Sequence, residues 1–388
     1  MSPRGTAGRI GALALAALSI GGWAGGQEPR KPSPGPATVA AKSVPALLDA
    51  LAETRDDAAR EALLLSLERL PIADLRTQIA RRAGGTRTDE DRCAAIEALG
   101  RCGGSSDLDL MLATAAGAAV LDGEDRVSAS LEHAAGRLLE RDESTCVRIA
   151  ARVAEAPPAL RDALFAAVAA REGPASLRFF AQVARESTSL APLALAHLAR
   201  GGSRAARPIE EEVLHVVRSI LSDPGSPALP EAALAAGHLE DYASIPRLID
   251  LLDDALPSVR ANAEWSLRTL SGLDLLGGAD RWRAWYRIEE RWRRSDWPRI
   301  ERELASGEKG RVASALDAIA GKRCRRHELA RSVSRLLDDP DPEIVELACE
   351  ALGQLRSSTV HDELEACRGS SSPAVREAAE RALAAGSR

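Results

Sequence analysis

The side chains best equipped for chemistry are few and scattered. Six histidines, His133, His197, His215, His238, His327 and His361, stand singly along 388 residues. An imidazole can shuttle a proton or ligate a metal, but both tasks need partners at a fixed spacing. No His-Glu-x-x-His, Cys-x-x-Cys or Cys-x-x-Cys-His occurs. Neither a glycine-rich phosphate cradle nor a hydrolase context for Ser, Asp and His is present. The Asp-rich loops lack the alternating ligands and terminal Glu of a calcium loop, so they read as helix N-caps. The reading is of a protein with no catalytic residues, no metal and no cofactor.

Six cysteines, Cys93, Cys102, Cys146, Cys324, Cys349 and Cys367, allow fifteen complete pairings. Cys349 and Cys367 are the candidate disulfide, expected on the two helices of one hairpin. Cys93 and Cys102 fall nine residues apart, on opposite sides of one straight helix. The alternative for most of them is a small buried apolar side chain.

Five of the six tryptophans lie between Trp265 and Trp297. Within the stretch 271–298, Trp282, Trp285 and Tyr286 share one helical face, and Trp292 extends it by seven residues. From Arg281 to Arg335 there are sixteen basic residues against eight acidic ones, on a chain of net charge -6. Two readings stand. The Trp stripe is core, packing an inserted helix across the array, and the charges are a solvated face. Or Trp282, Trp285, Tyr286, Trp292 and Trp297, with Arg325, Arg326, His327 and Arg331, form an exposed aromatic and basic patch. Such a patch would grip an acidic peptide, an anionic polysaccharide or a membrane surface.

The elements that carry these residues are helices. Hydrophobic residues are 45% of the chain but aromatics only 3%, and the apolar material is mostly Ala and Leu, which favours close-packed helices over sheets. From Ser43 onward, apolar residues recur at helical spacing for ten to fifteen residues and then break at Gly, Pro, Asp or Ser. About twenty such segments pair into about ten hairpins. Segments align: Arg92 to Gly100 (RCAAIEALG) with Val345 to Gly353 (VELACEALG), and Val259 to Leu267 with Val375 to Leu383. Ala315, Ala348 and Ala379 hold equivalent places, where a small side chain lets helices approach. The Gly that follows is expected to end each helix.

Asp-Pro, then Val-Arg, then Ala, then Ala-Leu-Gly resembles the short HEAT repeats of phycobilisome-lyase-like proteins. The resemblance is clearest over Pro224 to Arg388 and from Glu90 to Ala116. Between Asp122 and Arg218, helical periodicity stands alone. It implies an all-α, right-handed α-solenoid whose concave face is lined by the second helix of each hairpin, with Arg325, Arg326, His327 and Arg331 on such a helix. The Leu-Ser-Gly and Trp-x-x-Trp stretch is similar to an extension of HEAT proteins exported by some bacteria. The iron-binding branch of the family uses repeated His-Glu pairs, and here only His327-Glu328 occurs. The lyase branch works on antenna proteins in the cytosol, which fits poorly with the start of this chain.

That start reads as a signal peptide over 1–26. Arg4 and Arg9 precede the apolar run Ile10 to Ile20, and Ala24 and Gly26 mark cleavage before Gln27. Residues 27–43 read as a Pro-rich linker, 44–222 as degenerate repeats, and 223–388 as the clearer repeats with their insert. A pI near 5.7 argues against nucleic acid as a partner. The expectation is an exported, periplasmic or cell-envelope scaffold for unknown protein partners. The alternatives are a binding module for an anionic polymer or membrane surface, and a lyase-like accessory protein.

Overall fold

Residues 43–83, 88–116, 126–204, 208–275 and 277–386 are described by the computed structural model. The expected signal peptide, and all of the expected linker except Ser43, lie outside them. Among the described residues there are 21 α-helices and no strand, and none of these helices is long and apolar enough to cross a membrane.

The helices pair in chain order, with one left over. The first pairs are α1 (Val44–Glu53) with α2 (Asp57–Glu68), α3 (Ile72–Ala83) with α4 (Asp89–Cys102), and α5 (Leu108–Ala116) with α6 (Arg126–Arg141). Then come α7 (Ser144–Val153) with α8 (Pro158–Ala169), α9 (Pro174–Glu186) with α10 (Ala191–Gly202), α11 (Glu211–Leu221) with α12 (Leu229–His238), and α13 (Ile245–Leu251) with α14 (Pro257–Ser271). After the unpaired α15 (Gly278–Ser295) follow α16 (Trp297–Leu304) with α17 (Lys309–Ala320), α18 (Arg326–Ser334) with α19 (Pro342–Leu355), and α20 (His361–Cys367) with α21 (Pro373–Gly386). The result is an all-α solenoid of helical hairpins.

Second helices stack on second helices: α4 on α6, α6 on α8, α10 on α12, α12 on α14, α17 on α19 and α19 on α21. The reason lies in the repeated glycine. Gly100 and Gly353 sit inside α4 and α19 rather than at their ends, which corrects the expectation that this Gly stops the helix. A Cβ on Gly100 would stand 2.5 Å from that of Ala134 on α6, and one on Gly353 would stand 2.9 Å from Cα of Ala382 on α21. Gly237 meets Ser266 on α14 in the same way. Bare glycine against a small residue brings the axes together. The first helices, α3, α5, α7, α9 and α11, form a second row beside this one. These helices contain no glycine, and they make up the outer row of the pairs as the second helices make up the inner row.

The rest of the repeat signature also has a structural task. Arg260 and Arg376, the Arg of Val-Arg, reach back to carbonyls of the loop before their own helices: Asp254 and Ala255 at 2.7 and 2.9 Å, Ser370 and Ser371 at 2.8 and 3.1 Å. Asp341 caps α19 by accepting from the Glu343 N–H at 2.9 Å, with Pro342 at the first helical position. Polar pairs then join successive hairpins. Arg76 on α3 makes a two-pronged ion pair with buried Asp107, and Arg218 on α11 does so with buried Asp241. In the last repeats the same place is held by His327 on α18 and Ser357, with Nδ1 and Oγ 2.7 Å apart.

The apolar core is not continuous. One cluster runs from Val44 to Trp282 and includes Cys324, and a second runs from Ile300 to Ala382. The division falls at α15.

Candidate partner-binding surface

The Trp/Arg segment packs inward. Trp282 is 1% exposed and meets Trp285 edge-on, with ring centres 5.6 Å apart. Trp285 and Tyr286 pack against the first cluster, while Trp292 and Trp297, 6.0 Å apart, pack against the second. The exposed aromatic groove is therefore not formed, because the stripe that would line it is what anchors α15 to both sides of the array. Lys322 stands 4.1 Å over the Trp292 ring and binds Glu289 at 3.0 Å. That arrangement turns one of the basic residues into part of the packing.

The basic residues fare no better as a patch. Arg325, Arg326, His327 and Arg331 border or lie on α18, the first helix of its hairpin, and so belong to the first-helix row rather than the second-helix row. The hairpin frame is offset by one helix because α15 has no partner. His327 is buried and Arg325 and Arg326 are half-buried; only Arg331 is exposed.

These residues instead meet a carboxylate that the sequence reading passed over. Glu240, held at φ +55 just beyond α12, receives Arg326 at 2.8 Å, His327 Nε2 at 2.9 Å and the Tyr242 hydroxyl at 3.0 Å. An ionised carboxylate only accepts, so Nε2 donates to Glu240, while Nδ1 and the Ser357 hydroxyl share the second hydrogen bond of the ring. Arg325 lies over the Tyr242 ring at 5.4 Å. Burial and the neighbouring Glu240 charge push the Tyr242 phenol far up, so it stays a neutral donor. Ser357, His327 and Glu240 stand in the order of an acyl-transfer relay. Ser357 is buried, however, and its Oγ accepts from the Thr359 N–H at 3.2 Å, so it caps its own turn. A nucleophile that substrate cannot reach performs no transfer. The constellation is a clasp.

The thiols are equally unsuited to nucleophilic work. Burial pushes Cys102 up to about 11 and Cys324 and Cys349 up to about 12, and raises Cys146 and Cys367. Cys93 and Cys102 share α4, and all six cysteines are free thiols. Cys349 and Cys367 hydrogen-bond to each other. They lie on α19 and α20, in neighbouring hairpins and not in one. No group of three His, Cys, Asp or Glu with metal-ligating geometry occurs among the described residues.

What the inner row does present is different. Trp265 on α14 is 39% exposed and rests on His238 of α12, with ring centres 4.4 Å apart. Leu193 on α10 is also exposed, and Leu234 on α12 is partly so. His197 on α10 stacks on Phe180 at 4.8 Å, and all three phenylalanines of the chain gather beneath it. At the N-terminal end an open cleft of about 730 Å³ runs over α1, α2, α4 and α6, lined by His133, Arg137, Glu90 and Glu97 among others. Leu193, His197, His238 and Trp265 lie on the stacked second helices α10, α12 and α14, and the cleft lies over α4 and α6. Trp265 was legible as an aromatic but not as a surface residue, since the Trp-rich context around it is core.

Residues 306–384 match the family model for HEAT repeats. Among solved structures, the chain is similar to Kap121p bound to Nup53p at 12% identity and TM-score 0.40, covering 88% of this chain and 41% of that one. Kap121p bound to Pho4p gives 14% identity and TM-score 0.38 over the same shares. Human deoxyhypusine hydroxylase in complex with glycerol gives 15% identity and TM-score 0.21, covering 89% and 96%. The chain thus spans about two fifths of the length of the first structures it matches. No curated protein matches it in sequence.

Proposed function

We propose that this HEAT-repeat solenoid is a non-catalytic scaffold that holds an extended segment of a protein partner along its inner row, in the cell envelope. The observation that carries the reading is the Trp265–His238 pair. It is a large aromatic side chain left 39% exposed on the inner row, while Trp282 is buried and Trp285, Tyr286, Trp292 and Trp297 are half-buried against the two apolar clusters. Tryptophan is enriched among interface anchors, because it removes much apolar area from water at little cost in conformational freedom. The setting in the envelope rests on the leader sequence alone.

A photo-crosslinking side chain placed at Trp265, and another at exposed Val147 on the outer row, would test this in the full chain. The inner-row probe is expected to trap one partner. Trp265→Ala should weaken that partner's binding at least tenfold, the scale of an interface hot spot. Traps confined to the outer row, or unchanged affinity, would sink the reading. The second reading, an anionic surface, is favoured by the outward face of α15, where Ile288 is 64% exposed between Arg287 and Arg291. It takes over if Arg287→Glu with Arg291→Glu abolishes binding and Trp265→Ala does not.

A further inference from the structure

We propose that the solenoid consists of two separately cooperative blocks, the helices before α15 and those after it. The Glu240 clasp sets the angle between them and releases it. Four observations bear on this. Among the described residues the apolar core divides into two clusters around α15, and Cys324 is the one residue beyond α15 that belongs to the first. Burial of apolar surface is what makes a repeat array cooperative from neighbour to neighbour, so a division in the core is a division in cooperativity.

Second, the inner row changes character there. On both sides, bare glycine on a small residue locks second helices together, at Gly237 with Ser266 and at Gly353 with Ala382. Between α14 and α17 that contact is missing. Gly272, at φ +69 just past α14, instead lies beneath the aliphatic stem of Arg323, 2.7 Å from where its own Cβ would stand. A flexible arginine stem is a looser coupling than a helix face.

Third, α15 belongs to both sides. Ala279 and Trp282 are part of the first cluster, and Trp292 packs against the second. The helix is thus an axle shared by two bodies. Fourth, apart from buried Cys324, which joins the first cluster, the remaining ties across the seam are polar. Glu240 takes Arg326 and His327 from α18, 86 residues further along the chain, and Glu289 takes Lys322. Hydrogen-bonded charges fix geometry when made, and they give a discrete second state when broken, because each can be solvated. His327 couples the clasp to the repeat beyond, since its other nitrogen holds Ser357. Opening at Glu240 would free α18 and let the second block swing on α15, changing the curvature of the inner row. This does not depend on what the inner row binds.

Native-state hydrogen exchange with mass spectrometry on the full chain, in rising sub-denaturing urea, tests the division without any variant. Interior amides of α4, α6 and α12 are expected to converge on one opening level, and those of α19 and α21 on another. A single common level overturns the proposal. Glu240→Gln tests the clasp. Exchange in α16 to α18 is expected to rise at least tenfold while α4 and α6 change less than twofold. An equal change in both blocks, or none in α16 to α18, overturns it.

Discussion

The inner row at α19–α21 and the seam at α14–α18 solve the same problem, joining one hairpin to the next, by opposite means. In the row, Gly353 gives up its side chain so that α19 can lie on Ala382 of α21, and the close contact of glycine with a small residue is repeated at Gly100 with Ala134 and at Gly237 with Ser266. At the seam, long side chains do the joining: Arg326 and His327 on Glu240, Lys322 between Glu289 and Trp292, Arg323 over Gly272. The first kind of joint tolerates no added volume. The second tolerates motion, because an arginine can change rotamer without leaving a cavity.

The comparison breaks most visibly at the row. Gly353→Val places a branched side chain where the Ala382 backbone stands, so α19 and α21 must part. Overpacking of this kind, with the helix cost of a β-branched residue, is expected to destabilise the folded chain by about 3 kcal/mol in urea titration. At Gly136 inside α6 no atom stands within reach of an added Cβ. There Gly→Ala should do the reverse, adding about 0.5–1 kcal/mol. A similar loss at both glycines would mean that helix propensity, and not close approach, governs the row.

This contrast also shows what was legible beforehand. The hairpins could be read because Ala348 and Ala379 recur at a fixed period, and a period in sequence becomes a period in space. The seam could not be read that way. Its carboxylate, Glu240, holds the place that Arg356 holds after α19, both at positive φ, but its partner Arg326 lies 86 residues away, which no repeat period reveals. The extra helix α15 shifts the hairpin frame by one, which is why Arg331 falls on the outer row. The Trp stripe had two readings because helical spacing places side chains on one face without saying what covers that face. Trp265 escaped notice for the same reason in reverse.

Oxidation offers a way to stiffen one block and leave the seam alone. Cys349 and Cys367 tie neighbouring hairpins of the second block and already hydrogen-bond as thiols. We propose that they are the pair a disulfide would join, by exchange with an oxidised dithiol carrier that leaves reduced. Cys367, which lines an open cleft, is the sulfur such a carrier reaches. Closing this short loop is expected to stabilise the second block by about 2–3 kcal/mol. The check is peptide mapping under non-reducing conditions with urea titration of both forms. A different pairing, or equal stabilisation of α4–α6, would count against the assignment.

Acid should act on the other block. His197 sits in the phenylalanine cluster of the first block, and burial, with Arg200 adding to it, lowers its pKa from 6.5 to about 4. An unfolded chain takes up that proton near pH 6.5 and the folded chain only near pH 4, so folding is disfavoured progressively as the pH falls across this window and is unaffected above it. The full shift corresponds to about 3 kcal/mol. The ring is only half-buried, and solvent screening brings the expected loss to about 1–2 kcal/mol. His197→Phe keeps the stack on Phe180 and removes the titration. Wild type and variant should therefore differ more at pH 4.5 than at pH 7.5 in urea titration, with the difference confined to first-block amides. If acid weakened both blocks equally through His197, the seam would be transmitting stability as well as the inner row does, and the two kinds of joint would be equivalent in energy though not in form.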